Sequence, residues 1–435
     1  MDQTRHLGLL LVLITLSLHA PGVLAAGSGG VNAPGHIDKP YLILISIDGF
    51  GWDARGRAAT PALDSLAERG VVAQSMRPAW PSLTFPNHYA IATGLYPAEH
   101  GIVGNNFPSD NRDDWYSLRD RAAVENPEWY DGEPIWVAAE KAGMVSAAYF
   151  FVGTEAPVQG IRPTYSYLFD HEVPPSTRVS QVLEWLALPE ERRPHMLTLY
   201  FEHVDEASHR YGPDAPETAA AIETIDGHIG HLLNGLEELP FRDDIYIIVV
   251  SDHGHARYVD PAAGYVLSEH VDIREAGVVQ GGNYVMLYYD LPDADHIAEM
   301  VATINSTWEH GEAFARGDTP AHWHVADDER YPDVFIQADI GHAVMTDAER
   351  RQWLNGGAHG WPPESPPMGA TFIAAGPRLP EGKKIGEIHV VDVYPLMLDI
   401  LGLPRPDGYE DRPSELAGIL EPAQASGQSV AGGQP

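Results

Sequence analysis

The chain has 435 residues, with 27 basic and 62 acidic side chains, a formal net charge of −35 and no cysteine. Its 44% apolar and 20% charged residues are typical of a globular protein with a large core, which excludes disorder throughout. The negative charge disfavours binding to polymeric nucleic acid and to anionic membranes, because both depend on Lys and Arg. The lack of cysteine excludes disulfides and thiolate chemistry, so any metal must be held by histidine and carboxylate oxygen.

Residues 1–26 have the pattern of a secretory signal peptide. Arg5 and His6 precede an apolar run from Leu7 to Leu18, and Val23-Leu24-Ala25 offers a small-x-small cleavage site. The apolar run is shorter than the roughly 20 residues that span a bilayer. We therefore predict an exported protein, periplasmic or secreted, with no membrane association after cleavage.

From 37 to 420, short apolar runs alternate with helical spacing, which predicts an α/β fold with a central sheet covered by helices on both faces. The predicted strands are Tyr41–Ile47, Val145–Phe151, Met196–Phe201, Ile245–Ser251, Tyr284–Tyr289 and Ala370–Ala375. The predicted helices are Pro61–Arg69, Val179–Leu186, Ala219–Leu236, Ala294–Trp308 and Val391–Leu401. Weaker periodicity over 257–356 indicates insertions over the site rather than a separate domain, and 421–435 is predicted to be a disordered tail.

Acidic and imidazole side chains follow three of the predicted strands. Asp48 comes after the first, Asp205 and His209 after the third, and Asp252-His253 after the fourth. Alone, an Asp-Gly pair is usually a turn, and an i,i+4 Asp/His pair is usually an exposed helical pair. Because ligands bind beyond the carboxyl ends of strands in an open α/β sheet, the recurrence favours a metal site, and the donor set suits zinc.

Thr84 precedes a predicted helix that ends at Thr93-Gly94. We expect it near the helix N-cap, with Pro86 in the first turn. It either caps the helix or acts as a nucleophile, because a helix N-terminus favours a phosphoryl group and a metal would lower the pKa of the hydroxyl.

These motifs together resemble the nucleotide pyrophosphatase/phosphodiesterases of the alkaline phosphatase superfamily, in the same order and over about 41–404. The resemblance rests on Ile45-Ser46-Ile47-Asp48-Gly49-Phe50, Ser82-Leu83-Thr84-Phe85-Pro86-Asn87-His88-Tyr89, His100-Gly101-Ile102-Val103-Gly104-Asn105, the Asp205/His209 pair, Ser251-Asp252-His253-Gly254 and Gly357-Ala358-His359-Gly360. Ser208 stands where relatives commonly have glycine, but the Asp-x-x-x-His spacing is retained.

The resemblance implies an alkaline-phosphatase-like sheet with two zinc ions at the carboxyl ends of its strands. One zinc would be held by Asp205, His209 and His359, and the other by Asp48, Thr84, Asp252 and His253. Thr84 would form a covalent phosphothreonine intermediate, and the Asn105 side-chain amide would hold a phosphate oxygen. His88, His100, His203 and His255 are interpreted as supporting or surface residues.

The expected substrates are small nucleotide phosphodiesters or pyrophosphates, with Phe85 and Tyr200 sandwiching the base, although core packing would equally explain both aromatics. A phosphomonoesterase or a choline-type phosphodiesterase of the same superfamily stays open, as does a non-catalytic exported zinc-binding protein. A sulfatase is disfavoured, because Thr84 cannot replace the Cys or Ser that becomes formylglycine. We expect a monomer.

Overall fold

The computed structural model describes residues 30–354, 356–406, 409 and 414–422. The predicted signal peptide and most of the predicted tail lie outside these residues. The strands are β1 (Tyr41–Ile47), β2 (Gly70–Arg77), β3 (Asn106–Pro108), β4 (Trp115–Ser117), β5 (Ser146–Tyr149), β6 (Tyr165–Ser166), β7 (Met196–Phe201), β8 (Ile245–Val250), β9 (Ala256–Arg257), β10 (Tyr265–Val266), β11 (Gly277–Gln280), β12 (Tyr284–Tyr288), β13 (Gly311–Ala315), β14 (Val334–Ala338), β15 (Val344–Met345), β16 (Gly357–Ala358), β17 (Phe372–Ala375) and β18 (Lys383–His389). The helices are α1 (Pro61–Glu68), α2 (Thr84–Thr93), α3 (Pro97–His100), α4 (Arg121–Glu125), α5 (Ile135–Ala142), α6 (Pro175–Leu186), α7 (His203–Tyr211), α8 (Pro216–Glu237), α9 (Ala294–Thr307) and α10 (Val393–Leu401).

The central sheet, within the described residues, has eight strands in the order β18-β2-β17-β8-β1-β7-β5-β6. The middle strands β8, β1, β7 and β5 run parallel, whereas β17 is antiparallel to both of its neighbours. Because β8, β1 and β7 are adjacent and parallel, the segments that follow them emerge at one edge of the sheet. The predicted α/β fold class is confirmed.

The central strand β1 is buried along its whole length, with alternate residues on opposite faces of the sheet. Leu42 and Leu44 pack into a core that includes residues of α2, α5 and α10. Ile43 and Ile45 pack into a second core, with residues of α1, α6 and α8. Burial on both faces explains why the strand is apolar throughout rather than alternating with polar residues.

The region 257–356, predicted as insertions, contains an antiparallel sheet of its own. Strands β11-β12-β14-β13 form this sheet, and α9 packs against β13. Apolar residues on one face of this sheet, such as Val285 and Ile336, share a third core with Trp361 and Met368, whereas Met286 and Phe335 pack into the first core. A short pairing of β9 with β16 joins this region to the segment that carries His359.

Element bounds differ from the predicted ones mainly at helix starts and sheet edges. Helices α6 and α8 begin earlier than predicted, each with a proline at its first position, where the missing N–H costs no hydrogen bond. In the central sheet, β2, β6 and β18 were not predicted, and neither were helix α5 or strands β13 and β14. The side chains of β18 are mostly exposed at the edge of the sheet, so it lacks an apolar run. None of the helices in the described part of the chain combines the length and apolarity needed to cross a bilayer.

Candidate metal centre

Three aspartates lie together where β1, β7 and β8 end. Asp48 directly follows β1, Asp205 is in the first turn of α7, and Asp252 follows β8. Gly49 makes their approach possible: its φ is +68°, and a Cβ there would lie 2.6 Å from His255 Cε1 and 2.9 Å from Asp205 Cα. A residue with a side chain at this position would push the ends of β1 and β7 apart.

One cluster converges on Asp205 Oδ1. The Nε2 atoms of His209 and His359 lie 3.5 Å and 3.9 Å from this oxygen. His255 Nε2 is closer, at 3.2 Å, although its position had been predicted to be supporting or superficial. The clustering therefore adds one imidazole to the predicted set of three ligands.

The three imidazoles of this cluster are oriented by backbone carbonyls. The His209 Nδ1 atom hydrogen-bonds to the Gly357 carbonyl oxygen at 3.1 Å. The His359 Nδ1 atom bonds to that of Ser82 at 2.8 Å, and the His255 Nδ1 atom to that of Gly49 at 3.4 Å. Since a carbonyl only accepts, Nδ1 carries a proton in each case, and in the neutral form of each ring the Nε2 lone pair faces Asp205. Metal-ligating histidines are commonly held in this way.

A second cluster surrounds His253 Nε2. Asp252 Oδ2 lies 2.9 Å from this nitrogen, and Asp48 Oδ1 lies 3.7 Å from it. Thr84 Oγ1 lies 3.4 Å away. The structure thus brings together all four residues predicted for the second ion.

Each of two buried carboxylates has one oxygen bound by the protein and one facing the cluster. Asp48 Oδ2 accepts from the Tyr200 hydroxyl, and Asp252 Oδ1 accepts from the Gly49 amide. Among the described residues, Asp48 Oδ1, Asp252 Oδ2 and Asp205 Oδ1 have no hydrogen-bond partner. Buried carboxylate oxygens without partners are costly, and a divalent cation would satisfy them. The donor set of carboxylate and imidazole fits zinc.

The charges of the clustered groups shift their pKa values in opposite directions. Burial, reinforced by the carboxylates of Asp252 and Asp205, raises the pKa of Asp48 well above its usual value. Burial alone would raise the pKa of Asp205 too, but attraction to the neighbouring imidazoles in their protonated form, His209 first, lowers it well below the usual value. Burial and the neighbouring His253 lower the pKa of His359. His359 is therefore neutral, the form that ligates metal.

Thr84 is the first residue of α2 rather than its N-cap. Leu83 occupies the cap position, and no side chain caps the helix. The capping role considered for the Thr84 hydroxyl is therefore not observed, and Oγ1 points toward His253 instead. His88 steadies this turn: its Nδ1 donates to the Thr84 carbonyl at 2.9 Å, and its Nε2 accepts from Ser46 Oγ at 2.7 Å. Both His88 nitrogens are thus engaged, as expected of a supporting residue.

Two cavities adjoin the clusters. The smaller, of about 370 Å³, is lined by Asp48, Thr84 and a group of aromatic residues, and the larger, of about 840 Å³, by residues of the antiparallel sheet. Asn105, Arg119, His209 and His359 line both. Asn105 Oδ1 accepts from the Phe85 amide at 3.0 Å, which leaves its NH₂ group as the free donor of that side chain.

The aromatic wall of the smaller cavity includes both predicted base-binding residues. Phe85 and Tyr200 line it, and Phe169, which the sequence pattern did not single out, lines it as well. The Phe169 ring lies 6.0 Å from that of Tyr200 and is 42% exposed. An exposed phenylalanine at a cavity mouth is unusual enough to suggest ligand contact, but no spacing in the sequence distinguishes it from a core residue.

Two of the remaining histidines lie outside both clusters. His100 is buried, and its Nε2 donates to the Pro86 carbonyl at 3.1 Å. His203 begins α7 and is partly exposed beside Glu202. Of the four histidines predicted to be supporting or superficial, His88 and His255 both lie in groups that could hold a metal. Both ring nitrogens of His88 are hydrogen-bonded, whereas His255 Nε2 has no hydrogen-bond partner among the described residues. Its place two residues after His253, on one loop, is the signal that could have identified it.

Comparison with known proteins assigns the chain to a family. A model for type I phosphodiesterase / nucleotide pyrophosphatase matches residues 42–362. The chain belongs to this family. The resemblance seen in the sequence motifs, to the pyrophosphatase/phosphodiesterases of the alkaline phosphatase superfamily, is thereby confirmed.

Among relatives in the family, an uncharacterized pyrophosphatase/phosphodiesterase of Schizosaccharomyces pombe is 34% identical over 91% of this chain and 84% of its own length. Human ectonucleotide pyrophosphatase/phosphodiesterase family member 1 is 32% identical over 86% of this chain. The chain spans only 41% of that human protein and 46% of a Crotalus durissus collilineatus venom phosphodiesterase. Among solved structures, murine ectonucleotide pyrophosphatase/phosphodiesterase 5 superposes with a TM-score of 0.78 at 23% identity, covering 85% of this chain and 96% of the murine one.

Proposed function

We propose that this family member hydrolyses nucleotide phosphodiester or pyrophosphate bonds, using two zinc ions and a covalent intermediate on Thr84. The observation that carries the proposal is the position of the Thr84 hydroxyl. This hydroxyl does not cap the helix, and its oxygen lies 3.4 Å from His253 Nε2. Thr84 also lines the same cavity as Asp48 and Asp205. A zinc-binding protein without turnover would need no hydroxyl at this point.

Asp205, His209 and His359 would hold one zinc, and Asp48, Thr84, Asp252 and His253 the other. Bound zinc would lower the pKa of the Thr84 hydroxyl and offset the charge of the phosphate group. The partnerless oxygens of the three aspartates, together with the Nε2 atoms directed toward them, support this assignment.

The Thr84 oxygen attacks phosphorus in line, losing its proton to solvent, while the bond from phosphorus to the leaving oxygen breaks. The nucleotide is then attached to Thr84 as a phosphate ester. Water cleaves that ester, restores the hydroxyl and releases a nucleoside monophosphate. The α2 N-terminus and the Asn105 amide NH₂ favour a negatively charged phosphate at this position.

The smaller cavity is suited to the nucleoside. Its volume of about 370 Å³ and its wall of Phe85, Phe169 and Tyr200 would accept a base between aromatic faces. The superposed murine protein is an inactive threonine-to-alanine variant in complex with AMP, which supports both a nucleotide ligand and a threonine nucleophile here. Tyr200 would line the nucleoside site with its ring and, through its hydrogen bond to Asp48, orient a ligand of the metal.

The larger cavity is suited to the leaving group. It begins at His209 and His359 and extends over Tyr258, Gln280 and Tyr284 of the 257–356 region. Arg119 lines both cavities, whereas the nearby Arg121 is paired with Glu155 at 2.6 Å. Arg119 is therefore placed to contact phosphates beyond the scissile one.

The net charge of −35 agrees with small substrates. The positive charge of two zinc ions would exceed the negative charge of the Asp48, Asp205 and Asp252 carboxylates. The centre can therefore be locally positive within an acidic surface. A short nucleotide meets mainly the centre, whereas polymeric nucleic acid meets the surface and is repelled.

We further propose that the protein is exported to the periplasm or secreted. It would act as a monomer with a single catalytic domain over 37–420. The N-terminal sequence pattern supports export, and several relatives are venom phosphodiesterases.

The test is a substrate comparison with the zinc-loaded full chain. It is offered the p-nitrophenyl ester of thymidine 5′-monophosphate, p-nitrophenyl phosphate, p-nitrophenyl phosphorylcholine and p-nitrophenyl sulfate. We expect the nucleotide diester to have the highest kcat/KM, and chelation of metal to abolish its turnover. Preference for the monoester or the choline ester would assign the chain to the corresponding alternative, and no turnover of any ester would leave a zinc-binding protein.

A further inference from the structure

We infer that His255 is a fourth protein ligand of the metal held by Asp205, His209 and His359. This inference rests on the proposed metal site and goes beyond it by assigning a ligand outside the set implied by the family motifs. Of the three imidazoles that approach Asp205 Oδ1, that of His255 is the nearest, at 3.2 Å.

The hydrogen bonds of His255 leave Nε2 free to ligate. Nδ1 lies 3.4 Å from the Gly49 carbonyl oxygen in hydrogen-bonding geometry. Nε2 has no hydrogen-bond partner among the described residues, and neither has Asp205 Oδ1. In the neutral ring with the proton on Nδ1, the Nε2 lone pair faces a carboxylate oxygen across 3.2 Å, and a metal ion between the two atoms would be bound by both.

The backbone fixes His255 in this place from two directions. Ala256 in β9 pairs with Ala358 in β16, so the pairing sets His255 and His359 side by side, with ring centroids 5.2 Å apart. From the other side, Gly49 packs so closely that an added Cβ would lie 2.6 Å from His255 Cε1. The His255 side chain is 1% exposed, so it is shielded from solvent.

The consequence concerns how firmly the metal is held. Sites with three protein ligands keep a position open, whereas a fourth ligand completes a tetrahedral set and favours retention of the ion. Three imidazoles and one carboxylate also suit zinc better than magnesium or calcium, which prefer oxygen. We expect the metal of this cluster to exchange slowly.

The first experiment measures zinc affinity of the full chain by competition with a chromophoric chelator. His255→Gln should weaken binding of one of the two ions by about 100-fold or more, since even loss of a group that only orients a ligand costs about 10–100-fold. His209→Gln should have an effect of the same kind. His195→Gln is the matched control, because His195 is also buried, with Nδ1 bonded to the Pro40 carbonyl and Nε2 without a partner, far along the strand from the site.

Thermal unfolding separates a ligand from a packing residue. His255→Gln should keep the Tm of the metal-free wild type but lose much of the increase that zinc produces, because a ligand acts only when metal is bound. An equal drop in both states, with wild-type zinc affinity, would overturn the inference. Visible absorption of the cobalt-loaded variant should also differ from that of the wild type, since coordination changes.

A measurement on the wild type alone guards against a variant that does not fold. In the cobalt-loaded protein, the Nδ1 protons of ligating histidines give strongly shifted exchangeable proton resonances. Four such resonances, from His209, His253, His255 and His359, support the inference, and three overturn it. Failure of the wild type to bind two zinc ions would instead overturn the proposed function, so the two failures are distinguishable.

Discussion

The Tyr200 hydroxyl donates a hydrogen bond of 2.6 Å to Asp48 Oδ2. The other oxygen of Asp48 faces His253 Nε2 at 3.7 Å and has no hydrogen-bond partner among the described residues. A residue predicted from its aromatic ring to stack on a base therefore also orients a proposed metal ligand. The two roles predict different effects of removing the hydroxyl.

We expect Tyr200→Phe to weaken zinc binding by about 10–100-fold, because Asp48 loses the donor that orients it, while the ring that faces the cavity stays. At saturating zinc, KM for a nucleotide diester should change little. Zinc competition and steady-state kinetics test this. Tyr167→Phe is the control, since its hydroxyl donates to Gln181 outside the site. Wild-type zinc affinity in Tyr200→Phe, with a raised KM, would show stacking to be its main role.

Thr84→Ala should lower kcat by roughly 10³-fold or more, because the attacking oxygen is removed. Zinc content should fall by far less, since Asp48, Asp252 and His253 remain. Thr84→Ser keeps a hydroxyl and should retain measurable turnover. Burst kinetics and metal analysis of the three proteins make the comparison. An alanine variant with more than a tenth of wild-type turnover would exclude Thr84 as the nucleophile.

Phe169→Ala should raise KM for the p-nitrophenyl ester of thymidine 5′-monophosphate, with a loss of about 1–3 kcal/mol expected for one stacked base. The same variant should be nearly unchanged toward methyl p-nitrophenyl phosphate, which has the same leaving group and no base. Phe85→Ala should behave similarly if both rings contact the base. Equal losses on both substrates would show that Phe169 only packs.

Arg119→Gln should reduce kcat/KM for a nucleoside triphosphate by about tenfold, because a charged contact to the leaving phosphates is lost. The p-nitrophenyl ester of thymidine 5′-monophosphate has a leaving group without phosphates, so its kcat/KM should be almost unaffected. Arg274→Gln is a control, because Arg274 is exposed and paired with Asp272 elsewhere on the surface. An unchanged preference for triphosphate would remove Arg119 from the leaving-group site.

His100 should make stability pH-dependent. Burial lowers its pKa from 6.5 to about 3. Below pH 6.5 the unfolded chain therefore binds a proton at His100 that the folded protein does not. The contribution of His100 to the free energy of unfolding is fully present above pH 6.5 and decreases as the pH drops toward 3. In urea unfolding of the metal-free protein, His100→Gln should lose less stability between pH 7 and pH 5 than the wild type does. His322→Gln, at an exposed position, should follow the wild type; identical slopes for all three proteins would refute the role of His100.

Several features could be predicted because they are local in the sequence. The apolar run of β1, buried on both faces, predicted a central strand, and the Asp205/His209 spacing predicted two side chains on one face of a helix. Helix starts at Pro175 and Pro216 were missed because polar first turns hide the periodicity, although proline itself marks such starts. Strand β18 was missed because an exposed edge strand carries few apolar residues.

The sequence by itself determined the fold class and the three strand ends at which carboxylates and imidazoles gather, since both follow from hydrophobic pattern and short spacing. Only the tertiary structure decided that His255 joins the Asp205 cluster, that Phe169 lines the smaller cavity, and that Tyr200 binds Asp48. These contacts join segments far apart in the chain. They depend on strand order, on the β9–β16 pairing and on the absence of a side chain at Gly49, none of which leaves a periodic signal in the sequence.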